Sequence, residues 1–252
     1  MPWDPDKYNE FKSLRYKPFF DLAGLITDKP SITVIDLGCG TGELTDIVAQ
    51  KLTMPIVKAI DSSAEMLEKA KGFKDIFFEQ KTIEQQIATG EQWDLVFANA
   101  SVQWVDNHEE LFPKIIKTIN KGGQLAIQMP CQNDNILNKI LIDLVQEEPW
   151  TEALQGYLRL YPVLSIDEYA QLLFKNGGEN ITIYQKVYPQ VAASHDELYE
   201  FIAGSALVPY FERLKGRVKE AFIVAYKERI EKEFPVLPAL YAFKRIIMHA
   251  TF

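Results

Sequence analysis

An α/β fold, with a seven-stranded and mostly parallel sheet carrying a helical cap, is what the pattern of apolar residues predicts. Three observations lead there. Over residues 32–129 short apolar runs alternate with amphipathic stretches, the rhythm of strand–helix–strand units in a parallel sheet. The first run, Val34-Ile35-Asp36-Leu37, passes directly into Gly38-Cys39-Gly40-Thr41-Gly42 and then a helical segment. After Pro130 the rhythm changes to helical segments with only two further strand candidates.

Strands are expected at 32–37, 56–60, 76–79, 94–98 and 124–129, and helices at 43–51, 63–71 and 108–119, where apolar residues recur three and four apart. Near-continuous runs such as Leu95-Val96-Phe97-Ala98 suit strands buried on both faces. Lys121-Gly122-Gly123 reads as a turn into the fifth strand, which Pro130 stops. Beyond it, 133–147 is helical, and Ser165-Ile166-Asp167-Glu168 caps a helix that ends at Gly177-Gly178. Residues 181–188 alternate as a strand, Ser194-His195-Asp196-Glu197 caps another helix, and an amphipathic helix spans 210–233 before Pro235. The tail from Tyr241 to Phe252 closes the sheet. The expected organisation is therefore a core over 1–130, a helical insertion at 131–164, a core helix and strand at 165–189, a second helical insertion at 190–238, and a final strand at 239–252.

Composition narrows the function classes. The chain of 252 residues is 47% hydrophobic and 25% charged, ordinary values for a globular protein that buries a core. A formal charge of −8 disfavours nucleic acid as a partner, which would call for a basic face. No apolar run is long enough to span a bilayer, and the first residues have neither the basic nor the apolar region of a secretion signal. Two cysteines, Cys39 and Cys131, fit a reducing cytoplasm. His108, His195 and His249 lie far apart and show no metal-ligand spacing, so no metal is expected. Whether the protein is a monomer or a dimer is not written in these features.

The glycine turn carries the chemistry. Its spacing is G-x-G-x-G with Asp36 two residues ahead, and Glu43 stands where a dinucleotide fingerprint would place its third glycine. Bare backbone N–H groups and a helix start face whatever binds there. The second strand ends in Asp61, 19 residues beyond Gly42. A carboxylate at that strand tip can accept two hydrogen bonds from a ribose diol, which points to S-adenosylmethionine rather than NAD. Asp61 also suits a helix N-terminus, because Ser62-Ser63-Ala64-Glu65 reads as a capping box. The fourth strand exits through Asn99-Ala100-Ser101-Val102-Gln103-Trp104, placing Asn99, Gln103 and Trp104 at the carboxyl ends of strands, where ligands gather in open α/β sheets. Trp104 serves equally well as a core anchor.

Asp36 to Gly42, Asp61-Ser62-Ser63, Phe97 to Trp104 and Gln128-Met129-Pro130 together resemble the trans-aconitate methyltransferases. So do the opening Trp3-Asp4-Pro5-Asp6-Lys7-Tyr8 with Phe11, Arg15 and Pro18, and the closing Tyr241-Ala242-Phe243-Lys244-Arg245. The resemblance covers nearly the whole chain. It implies a class I methyltransferase, Rossmann-like fold, S-adenosyl-L-methionine as cofactor with S-adenosyl-L-homocysteine as product, and methyl esterification of a small polycarboxylic acid such as trans-aconitate. Cofactor contacts are then expected from Asp36, Gly38, Gly40, Gly42, Asp61, Ser62, Met66, Thr82, Ile83, Asn99 and Ala100. Acceptor contacts are expected from Tyr8, Phe11, Arg15, Gln103, Trp104 and Arg159. No catalytic side chain is required, since a carboxylate nucleophile is already ionised at neutral pH.

Two departures from the family pattern stand out. Glu79-Gln80-Lys81-Thr82-Ile83 lacks the Asp that often meets adenine, leaving backbone groups near Thr82 and Ile83 to do so. Val208 precedes Pro209 where relatives carry Arg, so a bidentate guanidinium is missing there; either another cation serves, with Arg15, Lys17 and Arg159 as candidates, or the acceptor carries fewer carboxylates. Two alternatives stay open: esterification of an acyl-thioester carboxylate on a carrier protein, and an adenosyl-binding module without catalysis.

Overall fold

A computed structural model of the chain describes residues 16–252. Tyr8, Phe11 and Arg15, expected at the acceptor side, lie outside the described residues. In chain order the elements are helix α1 over 16–23, β1 Thr33–Leu37, α2 Glu43–Lys51, β2 Ile56–Asp61, α3 Ala64–Ala70, β3 Ile76–Gln80, α4 Ile83–Ala88 and β4 Trp93–Asn99. A 3-10 turn at Val102–Trp104 follows, then α5 His108–Ile116, β5 Ile119–Pro130, a 3-10 turn at Gln132–Asp134, α6 Ile136–Val145 and α7 Trp150–Ala153. The chain ends with α8 Ile166–Lys175, β6 Glu179–Ala192, α9 His195–Ala203, α10 Val208–Phe211, α11 Gly216–Glu233 and β7 Ala239–Thr251. Among the described residues no helix is long and apolar enough to cross a membrane.

The seven strands form one sheet in the order β3-β2-β1-β4-β5-β7-β6. Strands β1 to β5 pair in parallel and β7 runs antiparallel to β5. From β1 the chain steps outward through β2 to β3, then crosses back to β4 and continues the other way. The switch point therefore lies between β1 and β4, and the crevice outside their carboxyl ends is where such sheets hold ligands. Leu95, Val96 and Ala98 of β4 are fully buried, as expected for a strand covered on both faces.

The chain folds into two compact units. The first comprises residues up to 130, 162–186 and 245–252; the second comprises 131–161 and 187–244. The second unit has its own core, in which α11 packs on α6 and α9. Phe222, Tyr226 and Ile230 of α11 are fully buried there, and the Tyr226 hydroxyl donates to the Leu137 carbonyl at 2.9 Å. Asn135, also fully buried, closes the entry to α6: its amide donates to the Lys244 carbonyl and its oxygen accepts from Lys244 N–H, satisfying both polar ends inside the unit.

Five local features differ from these expectations. The helix expected over 108–119 ends at Ile116, and Lys121-Gly122-Gly123 belongs to β5 rather than to a free turn. Its register passes from Trp93↔Ile119 to Leu95↔Gln124, so residues 120–123 bulge opposite Asp94, whose carboxylate accepts from Asn120 Nδ2. The helix expected over 210–233 is broken into α10 and α11: α10 ends at Phe211, and the chain is extended at Lys215, with φ −127° and ψ 151°, before Gly216 starts α11. The cap of α3 is Ser63, whose hydroxyl accepts from Met66 N–H, and not a Ser62–Glu65 box. Finally, α4 was not expected, although Thr82 and Gln85 close a reciprocal capping box at its start.

Candidate active site

The turn after β1 is built on hydrogen bonds to β2. Gly38 and Cys39 both donate their N–H to the Ile60 carbonyl, at 2.9 and 2.8 Å, and Gly42 N–H donates to the Cys39 carbonyl. Gly38, Gly40 and Gly42 take φ values of +95°, +56° and +76°, a region that disfavours side chains. Gly38 must also be bare for lack of room, since a Cβ there would sit 2.3 Å from Ser101 Cβ. The Ser101 hydroxyl donates to the Leu37 carbonyl, tying the ends of β1 and β4 together.

Asp61 is held from two sides. Its Oδ2 accepts from Gly40 N–H at 2.8 Å and its Oδ1 from Ser63 N–H at 2.9 Å. The helix-start reading of Asp61 is met, as the carboxylate joins the glycine turn to the start of α3. A carboxylate has about four acceptor positions, so each oxygen keeps capacity for a ligand.

These segments open on a cavity of about 690 Å³ that lies wholly in the first unit, within the size range of ligand sites. Gly38, Gly40, Asp61, Ser62, Met66, Thr82, Ile83, Asn99, Ala100 and Trp104 line it, as expected from the sequence. Tyr16, Leu44, Lys81 and Val105 also line it and were not anticipated. Trp104 is 42% exposed, so it is a wall residue and not a core anchor. A Cβ on Gly40 would meet nothing within 4 Å among the described residues, consistent with backbone laid open to a ligand.

Five of the residues considered do not line this cavity, Asp36 among them. Gly42 does not line the cavity: a Cβ there would strike Phe78 and Ala70, so its bareness serves the packing of α2. Gln103 is buried, and its amide donates to the Ala100 carbonyl at 2.7 Å, while its Oε1 is buried without a partner among the described residues. Arg159 belongs to the second unit, where its N–H donates to the Tyr210 hydroxyl. Lys17, the other cation considered, is an exposed residue of α1.

Asp36 lies behind the turn instead of on the cavity wall. It is 3% exposed, accepts from the Thr45 hydroxyl at 2.6 Å through Oδ2, and has no partner for Oδ1 among the described residues. Burial pushes its pKa up to about 7; the Thr45 hydrogen bond opposes the shift and the nearby Asp61 charge adds to it. The folded protein therefore holds a proton on Asp36 that the unfolded chain releases near its ordinary value of 3.8. Stability from this group is full below that value and is lost as pH rises to about 7. Asp36→Asn, which keeps an oxygen for Thr45, is expected to abolish this decline, of which roughly 2–3 kcal/mol falls between pH 5 and pH 8. Denaturant unfolding of both proteins at pH 5 and pH 8 measures it. Buried His108 and His249, whose pKa values fall through burial, act with the opposite sign in both proteins and cancel in the comparison. An equal pH slope in the two proteins overturns the assignment.

The neighbouring Cys39 is no nucleophile. Burial, then the charges of Asp36 and Asp61, push its thiol well above the ordinary range, and the thiolate is the reactive form.

His108 secures the Trp104 turn from behind. Its Nε2 lies 3.0 Å from the Val102 carbonyl and its Nδ1 2.5 Å from the Tyr169 hydroxyl. A carbonyl only accepts, so Nε2 carries the hydrogen and Nδ1 accepts from Tyr169. Burial lowers the pKa of His108, which favours this neutral form.

The comparisons with known proteins agree with this geometry. A family described as a methyltransferase domain matches residues 8–183. Trans-aconitate 2-methyltransferase of Deinococcus radiodurans is 37% identical over 259 residues, covering 100% of this chain and 98% of that protein. The enzyme of the same name from Variovorax paradoxus is 28% identical over 255 residues, covering 99% and 98%. Among solved structures, the YcgJ protein of Bacillus subtilis superposes with a TM-score of 0.63 at 13% identity, over 94% of this chain and 98% of that one; at that identity the likeness concerns the fold. The seven-stranded order and the full-length similarity converge: this chain belongs to the trans-aconitate methyltransferase family of class I, S-adenosylmethionine-dependent methyltransferases.

Proposed function

We propose that this protein transfers a methyl group from S-adenosylmethionine to a carboxylate oxygen of a small polycarboxylic acid, trans-aconitate or a close analogue. The observation that carries the reading is the cavity around Asp61, in which a carboxylate locked by two backbone N–H groups faces open glycine backbone. The acceptor class comes from the full-length similarity to trans-aconitate 2-methyltransferases.

The lining residues fit an adenosyl ligand. Asp61 accepts the two ribose hydroxyls, and Ser62 and Met66 flank that end. Thr82 commits its own N–H to Gln85 in the α4 capping box, where its hydroxyl oxygen accepts and keeps its hydrogen. With the Ile83 N–H, which has no intrahelical partner in the first turn, that hydroxyl is left to meet the adenine edge. Gly38, Gly40, Asn99 and Ala100 face the methionyl end. When bound, the donor supplies an electrophilic methyl carbon. The protein's own work is orientation, for which effective molarities allow about 7–11 kcal/mol, and exclusion of water at the Trp104 wall. An ionised carboxylate needs no general base. The acceptor-side roles of Tyr8, Phe11, Arg15 and Arg159 belong to the same proposal.

The test is incubation with methyl-labelled donor and a panel of di- and tricarboxylates. Base-labile methyl ester on trans-aconitate or a near analogue is the expected product. Binding of S-adenosylhomocysteine without transfer to any acid would point to a non-catalytic module, and transfer only to a thioester-linked acid on a carrier would replace the acceptor.

A further inference from the structure

A chain of three polar side chains runs from β7 to the cavity wall, all within the first unit. Arg245 Nη1 donates to Gln128 Oε1 at 2.8 Å, and Gln128 Nε2 donates to Asn99 Oδ1 at 2.5 Å. Gln128 is 1% exposed, so its amide has no solvent to bond instead. The strand registers set the three side by side: Asn99 pairs with Gln128 across β4 and β5, while Pro130 faces Arg245 across β5 and β7.

The direction of this chain follows from chemistry. A guanidinium donates and never accepts, so Gln128 must turn its oxygen toward Arg245. Its amino group then faces Asn99 and can only donate, so Asn99 must turn its oxygen toward Gln128. The Asn99 amino group is left over, without a partner among the described residues, on a residue that lines the cavity.

We propose that Arg245 is a positioning residue that, acting through Gln128, fixes Asn99 so that its Nδ2 donates into the cavity and receives a carboxylate oxygen of a bound ligand. The inference rests on the methyltransferase reading above and deepens it, because both the donor's methionyl end and the acceptor acid carry a carboxylate. Reversing Asn99 would present a carbonyl oxygen to that carboxylate and repel it.

Gln128→Glu tests this. A glutamate at 128 accepts from Arg245 and from Asn99 alike, so it keeps the packing, gains a charge-assisted bond and turns Asn99 around. The melting temperature is expected to hold while carboxylate binding weakens about 10- to 100-fold. If the ligand is the donor's carboxylate, calorimetry shows that loss for S-adenosylhomocysteine and none for 5′-methylthioadenosine, which lacks the carboxylate. If it is the acceptor's, S-adenosylhomocysteine affinity is kept and KM for the acid rises with kcat little changed. Asn99→Asp, which places an anion at the same wall, is expected to fail in the same arm even if Gln128→Glu does not fold. Arg245→Lys, still a pure donor, is expected to recover most binding that Arg245→Met loses. Folded Gln128→Glu with unchanged S-adenosylhomocysteine affinity and unchanged KM overturns the proposal. Wild-type protein that binds no S-adenosylhomocysteine overturns the donor reading, and the relay with it.

Discussion

Asp61→Ala is expected to lower the affinity for S-adenosylhomocysteine at least about 100-fold, measured by calorimetry. Two hydroxyl donors to one ionised acceptor contribute about 1.5–3 kcal/mol each, and both vanish with the carboxylate. A second loss adds to the first. Asp61 Oδ2 and Oδ1 hold the N–H groups of Gly40 and Ser63, so the alanine variant also releases the glycine turn from the start of α3. Asp61→Asn separates the two effects. Its one oxygen keeps one of the backbone bonds, while its amino group opposes a ribose hydroxyl's donation and faces an N–H. An intermediate loss for Asn and a full loss for Ala is the expected pattern. Affinity in Asp61→Ala equal to wild type would remove Asp61 from the site.

The legible part of this site was the part written locally. Gly38-Cys39-Gly40 and Asp61 stand at strand ends that apolar runs mark out, and in a parallel sheet strand ends share one edge. The rest depended on partners distant in sequence. Gly42 fits a close approach of Phe78, 36 positions along the chain, which no spacing reveals. Gln103 turns inward because a 3-10 turn does not alternate its side chains as a strand does. The Arg245–Gln128 pair spans 117 positions and exists only through the antiparallel register of β5 with β7. In contrast, α4 did carry a signal: Thr82 and Gln85 have capping-box spacing, but a six-residue helix offers too little periodicity to be noticed.

Gly38→Ala and Gly40→Ala, two residues apart in one turn, are expected to fail in different ways. At Gly38 the new methyl meets Ser101 Cβ at 2.3 Å on a backbone with φ +95°. Ser101 is itself tied to the Leu37 carbonyl, so relief requires the ends of β1 and β4 to part at the switch point. Backbone strain of about 1–3 kcal/mol and overpacking of about 1–3 kcal/mol together make a loss of about 2–6 kcal/mol, read in thermal or denaturant unfolding. Ser101→Gly removes the struck atom, and the double variant is expected to recover the overpacking share while keeping the strain, a coupling that a double-mutant cycle isolates. At Gly40 the methyl meets nothing within 4 Å among the described residues and φ is +56°, so the stability cost is only the left-handed strain of about 1–2 kcal/mol. Its effect is expected on the ligand instead, because the methyl would stand in the cavity where the proposed donor's methionyl end lies against backbone. Gly38→Ala as stable as wild type, or additive energies in the double variant, would show that the two strand ends are not held in contact by the absence of that one methyl group.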